Sequence, residues 1–427
     1  MPLLNRLKDE IVLAPPAPEP SWFGGAPDPG ERGLRTLDDH RDHLLGHVET
    51  LRPFGINLLD AAGLTLCESI VSDIDLPTYT AATAAGYAVR TSNLIGASKQ
   101  RPIILPVVDQ VEAGGYRHAP LTPRTAVLVE AGAPLPEGAD AVMPLAEGFA
   151  LEDDVQFTTE AKVHQNVRLA GSRVSDGDQL VARGSVLTPR TLAVIAEVGY
   201  DKVLAMPRPR VVVLVADETL KAPGLPLSRL SESYDATSTL LAATLRDDGV
   251  QVFVGHVAST EPRAVGIALD EQLVRADLVF LVTRVTEGLE AMLAGQGSLD
   301  VAEVDALPGR QLFAMVGEER APVLVLPPDA VPAYLSYLLV GRPLVQKLAG
   351  KQPETPKESS APVTQEVAAD PVRTRLLLAQ HSSRGVTPLT GAAPGAAELA
   401  GANAVIVVPP ADVPIPAHGD VNCWLLD

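Results

Sequence analysis

Residues 210–216 read RVVVLVA, and this stretch decides the fold. A short, uninterrupted apolar run marks a strand buried on both faces. A helix follows over 234–249 (YDATSTLLAATLRDDG), closed by Gly249. Then come a strand VQVFVGHV (250–257), a helix opened by Thr260-Glu261-Pro262, and a strand ADLVFLV (276–282). A helix near 287–295, a strand APVLVLP (321–327) and a last helix over 329–348 complete the series. Strands alternating with helices predict a doubly wound parallel α/β sheet over 208–349. Ligands in such sheets sit beyond the C-terminal ends of the strands.

Working outward, the flanks change character. Residues 1–35 are dominated by Pro and Gly and read as a disordered tail. Within it Leu3, Leu4, Leu7 and Ile11 recur at helical spacing, and Trp22 and Phe23 stand in a Pro/Gly stretch. They are either incidental apolar residues or a docking segment for a partner. Residues 36–51 form a helix with Thr36 as N-cap and acids in its first turn. His40, His43 and His47 share that helix without a carboxylate–His signature around them, so they read as a solvated polar face. Residues 36–75 and 162–207 are expected to form a mixed helical, dimerising domain, with an inserted β domain over 76–161. Asp176-Gly177 predicts a turn; Thr188-Pro189 predicts a helix start, Thr188 as N-cap and Pro189 first in the helix. Residues 350–371 read as a Pro/charge linker and 372–427 as a small C-terminal β domain.

The totals narrow the function. A chain of 427 residues suggests two to four domains. A formal charge of −19 with no Lys/Arg cluster argues against nucleic acid and anionic membrane surfaces. No apolar run reaches the roughly 18–20 residues that span a bilayer, and the N-terminus lacks a secretion signal. Two cysteines, Cys67 and Cys423, provide neither a disulfide framework nor a cysteine metal site. A cytoplasmic protein is expected, with no metal site.

Several phrases carry a resemblance: GYAVR (86–90), GAPLPEGADAV (132–142), NVRLAG (166–171), LTPRTLAVIAEVG (187–199), PRPRVVVL (207–214), GRPLVQKLAG (341–350) and GANAVIVVP (401–409). With the order of parts, they resemble the molybdopterin molybdenumtransferase family, which includes the E domain of gephyrin. The resemblance covers roughly residues 36–427. It implies a multidomain α/β fold: a doubly wound molybdopterin-binding-like domain, an inserted small β domain, a mixed N-terminal domain and a C-terminal β domain. It also implies a homodimer that inserts molybdate into adenylylated molybdopterin with AMP release, assisted by a divalent metal.

Carried over residue by residue, the family's site is depleted. The loop before GYA resembles F-D-N-S-A-M-D, but here its two carboxylate positions hold Thr80 and Ala85. M-T-G-A becomes Glu130-Ala131-Gly132-Ala133, losing a hydroxyl at Ala131, and G-E-D becomes Gly171-Ser172-Arg173. S-T-G-D-E becomes Val215-Ala216-Asp217-Glu218-Thr219. T-S-G-G-V-S-x-G-D becomes Leu281 to Leu289, its glycines replaced by Thr283 and Arg284 and its Asp by Leu289. Glycine lets backbone N–H groups cradle an anion; Thr and Arg do so poorly. K-P-G-K-P becomes Leu307-Pro308-Gly309-Arg310-Gln311, and L-P-G-N-P becomes Leu326-Pro327-Pro328-Asp329-Ala330. Asp235 matches the Asp of D-S-N, as a helix cap or a ligand. Arg284 and Arg310 are either an anion pair or ordinary surface cations.

Metal-assisted chemistry needs acids for the metal and cations or backbone donors for phosphates. Losing one such group costs roughly 10²–10³ in rate. The resemblance therefore implies a catalytically degenerate member, a homodimeric gephyrin-like scaffold needing no cofactor and gripping a partner's peptide or tail. Cell-division or envelope machinery would be the analogous partner. Tyr334 and Tyr337, with the 372–427 domain, are the candidate groove, and Trp22 and Phe23 further contact candidates. The alternatives are pterin binding without turnover, or an active insertase using molybdopterin-AMP, molybdate and Mg. The last would rest on Asp217, Glu218, Asp235, Arg284 and Arg310.

Overall fold

The computed structural model describes residues 26–30, 33–115, 119–389 and 395–426. Trp22, Phe23 and the apolar positions 3–11 lie outside them. The chain divides into two compact units, one of residues up to 54, 63–65 and 206 onward, the other of 55–62 and 66–205.

The first unit is built on a six-stranded sheet. Gln251–Val257, Arg210–Ala216, Leu278–Val282 and Ala321–Leu326 lie side by side in parallel. The decisive run behaves as its composition demands. Val211, Val213 and Val215 face one core with Leu241, Leu245 and Tyr337, while Val212, Leu214 and Ala216 face another with Val265, Leu269 and Leu293. Alternation in a strand thus feeds two helical layers.

The sheet continues where no strand is expected from residue pattern. Arg310–Val316 and Gly297–Glu303 add an antiparallel hairpin beyond Ala321–Leu326, so the sheet is mixed. Asp300 interrupts the apolar pattern of Gly297–Glu303, yet it is buried. Its partner is Arg35, whose Nη1 and Nη2 donate to its two carboxylate oxygens at 2.7 and 3.1 Å. His40 Nδ1 lies 3.1 Å from Arg35 Nη1, and His40 is buried too. The histidine face of helix Leu37–His47 is therefore not solvated. Leu44 and Val48 turn into the core beside Leu344, and burial, with Arg35 second, holds His40 at a pKa of about 4.

The predicted last helix runs as Ala330–Ser336, a π-helical turn Tyr337–Gly341, and Arg342–Leu348. Beyond it, a five-stranded antiparallel sheet has the order Lys357–Pro362, Asp420–Leu425, Ala404–Val408, Arg375–Ser382, Gly385–Pro388. Its first strand comes from the stretch read as linker. KESSAP supplies an edge strand, where polar residues and a proline are tolerated.

The second unit holds another six-stranded sheet, in the order Ala141–Pro144, Gly86–Val89, Ala126–Val129, Ile103–Val111, Asp154–Phe157, Gly148–Leu151. A Cβ on Gly86 would meet the Met143 carbonyl oxygen at 2.0 Å, so only glycine fits there. Helix Pro189–Glu197 starts as the sequence predicts, with Thr188 Oγ1 accepting from the Thr191 amide at 3.2 Å.

Candidate functional site

In an open α/β sheet the place to look is beyond the C-terminal strand ends. Here that edge is stitched together internally. Asp217, after Arg210–Ala216, is buried, and its Oδ1 accepts the Thr219 amide at 2.7 Å and the Thr219 hydroxyl at 2.6 Å. Asp235 is fully buried and caps helix Ala236–Asp247, accepting the Ser238 amide at 2.8 Å. Its other oxygen accepts the Ser238 hydroxyl and lies 2.8 Å from His256 Nε2. Thr283 donates to the Ala216 carbonyl at 2.8 Å, and Thr237 to the Pro328 carbonyl at 2.5 Å. Glu218 and Arg284 are exposed.

Arg284 and Arg310 are not brought together as an anion pair by any contact in the structure; Arg310 Nη1 instead meets Glu290 Oε1 at 2.7 Å. Leu289 lies in the core with Leu293, and Leu307 in the core with Val304. Magnesium requires a near-octahedral set of oxygens. Asp235 spends both oxygens on neighbours and Asp217 Oδ1 is taken by Thr219, and no group of three or more His, Cys, Asp or Glu among the described residues could hold a metal. The described residues thus offer no all-protein cage for the ion.

In the second unit the loop at residues 80–85, TAATAA, keeps its frame through the backbone. Ala81–Ala82 pairs with Val167–Arg168, and the Leu135 amide donates to the Thr80 carbonyl at 2.8 Å. Thr80 Oγ1 accepts the Ala170 amide at 3.2 Å. Ala85, Ala131 and Ser172 are exposed, and Arg173 pairs with Glu197.

Two clefts lie where helix Ala330–Ser336 and its continuation meet the C-terminal sheet. The smaller, of about 170 Å³, is lined by Tyr334, Leu338, Arg342, Lys357 and Leu426. The larger, of about 690 Å³, has walls of Leu220, Tyr234, Val331, Leu335, Leu376 and Leu377. That size suits a ligand site. Its floor at Thr237 and Pro328 touches the strand ends, and Asp329 and Arg375 bring the charge. Tyr337 lines neither cleft. It is fully buried, 5.7 Å edge-to-face from Phe280, and its hydroxyl donates to Asp248. The resemblance offered Tyr334 and Tyr337 together as groove residues; packing on Phe280 and the Asp248 partner put Tyr337 inside. His256 and the large cleft went unread in the sequence, because His256 is a single polar residue in a strand and the cleft joins segments over 150 residues apart.

The comparisons with known proteins agree on one lineage. A sequence pattern for the MoeA N-terminal region (domain I and II) matches residues 35–199. Molybdopterin molybdenumtransferase 1 of Mycobacterium tuberculosis is 30% identical over 410 residues, covering 88% of this chain and 95% of that protein. This chain belongs to the molybdopterin molybdenumtransferase (MoeA) family. Molybdopterin molybdenumtransferase 2 of the same organism is 27% identical over 405 residues, 92% of this chain and 99% of its own. A molybdopterin biosynthesis MoeA protein from Pyrococcus horikosii superposes with a TM-score of 0.81 at 20% identity, over 92% of this chain and 99% of that one. The MoeA multidomain α/β architecture, with its C-terminal β domain, is thus the architecture of this chain. No helix among the described residues is long and apolar enough to cross a membrane.

Proposed function

We propose that this MoeA-family chain works as a homodimeric, cytoplasmic, gephyrin-like scaffold that binds the peptide or tail of a partner protein, and that it has given up molybdate insertion. The observation that supports this is the state of the strand-end carboxylates. Asp217 Oδ1 is taken up by Thr219, and both oxygens of Asp235 by Ser238 and His256. Where the resemblance implies a metal-positioning Asp, Leu289 packs into the core. A pocket that stabilises developing charge needs preorganised donors and acids free to act. The apolar cleft beside it suits an extended peptide, whose side chains fill pockets while its backbone finds hydrogen bonds.

A second reading has one observation in its favour: the similar M. tuberculosis proteins are named as molybdenumtransferases. Under it Glu218 and Arg284, both exposed at the strand ends, would hold metal and phosphate. Calorimetric titration with adenylylated molybdopterin, followed by molybdate and an assay for AMP, separates the two. The scaffold reading expects no heat and no AMP. AMP release overturns it.

A further inference from the structure

We propose that the N-terminal segment around Trp22 and Phe23 docks in cis into the apolar cleft between helix Ala330–Ser336 and strand Arg375–Ser382. The cleft of about 690 Å³ is walled by leucine, valine and tyrosine side chains. A cavity of this kind has the capacity for aromatic side chains, each of which removes roughly 150–250 Å² from water. The chain carries such a pair in PEPSWFGG (18–25).

The point where the N-terminus joins the body fixes the choice of occupant. Arg35 forms a parallel bridge to Val304; its amide donates to the Glu303 carbonyl at 2.8 Å, and its carbonyl accepts the Asp305 amide at 2.9 Å. The next residue after Asp305, Ala306, lines the cleft. The Asp305 carboxylate accepts the Thr374 amide at 2.7 Å and hydroxyl at 2.8 Å, and the residue after Thr374 is Arg375 of the cleft. Arg35 thus anchors the N-terminal segment within two residues of the cleft lining; the parallel bridge starts that segment back beside Glu303, so reaching the cleft takes a reversal of the chain.

Trp22 and Arg35 are thirteen positions apart, with twelve residues between them. Fully extended they reach about 45 Å; as a Gly-rich chain they average about 20 Å end to end. Either length suffices for a site that begins beside the anchor. Glu19 is the only ionisable side chain in residues 14–27, and the cleft wall carries one cation, Arg375, beside one acid, Asp329. The inference does not depend on whether the protein handles a pterin.

The test uses a fluorescent peptide of residues 14–27 titrated into the full-length chain and into its Trp22→Ala/Phe23→Ala variant, followed by anisotropy. A short tether supplies an effective concentration in the mM range. The double variant should bind the peptide, and the unaltered chain at least ten-fold more weakly. Tyr234→Ala and Ala396→Glu, both at exposed positions of the cleft, should each lower affinity about ten-fold in the double variant with an unchanged melting midpoint. The proposal is overturned if the peptide fails to bind the double variant, binds both chains equally, or ignores both cleft substitutions. It is also overturned if dilution of the unaltered chain relieves the competition, which would make a second copy the occupant.

Discussion

The loop at 80–85 and the stretch from Thr283 to Leu307 are built in opposite ways. In the first, small side chains sit on a paired backbone: Ala81–Ala82 pairs with Val167–Arg168, and Ala85 faces solvent. In the second, apolar side chains are packed: Leu289 and Leu307 are 4% and 1% exposed, each inside a core. A side-chain change in the first costs little, while the second helps hold the sheet together.

Substitutions that restore acids should expose this asymmetry. Leu289→Asp removes a buried leucine and leaves a carboxylate without a partner; it should destabilise the chain by about 5 kcal/mol in chemical denaturation. A loss under about 1 kcal/mol would break the comparison. Asp300 sharpens it, because the same sheet tolerates a buried acid where Arg35 answers it. Asp300→Ala strands that guanidinium and should cost about 3–5 kcal/mol.

The same cluster sets a pH response. His40 is held near 4, below its unfolded value of about 6.5, so the unfolded chain takes up the proton first. Its contribution is intact above pH 6.5 and is lost as pH falls toward 4, by up to about 3 kcal/mol. Denaturation curves at pH 7 and pH 4.5 should show this slope, and His40→Gln should flatten it. At the small end, Ala85→Asp should move stability by no more than about 0.5 kcal/mol, since the position is exposed. A larger loss there would mean that the loop, too, has been absorbed into structure.

How much could be read beforehand follows the same physics. The parallel strands were legible because residues 210–216, 276–282 and 321–327 are apolar on both faces. Gly297–Glu303 was not, because GSLDVAE hides an ion pair whose other half lies 265 residues away. His40 was misread for that reason, and Tyr337 because its partner Asp248 lies 89 residues away. At the site, Asp235 was legible as a cap; its tie to His256 needed the fold.

Gly86 has a consequence for how relatives of this chain are recognised. Its close approach to the Met143 carbonyl makes GYAVR a signature of sheet packing, independent of any reaction. A similarity search anchored on that phrase reports how the sheet is packed and carries no information about a reaction.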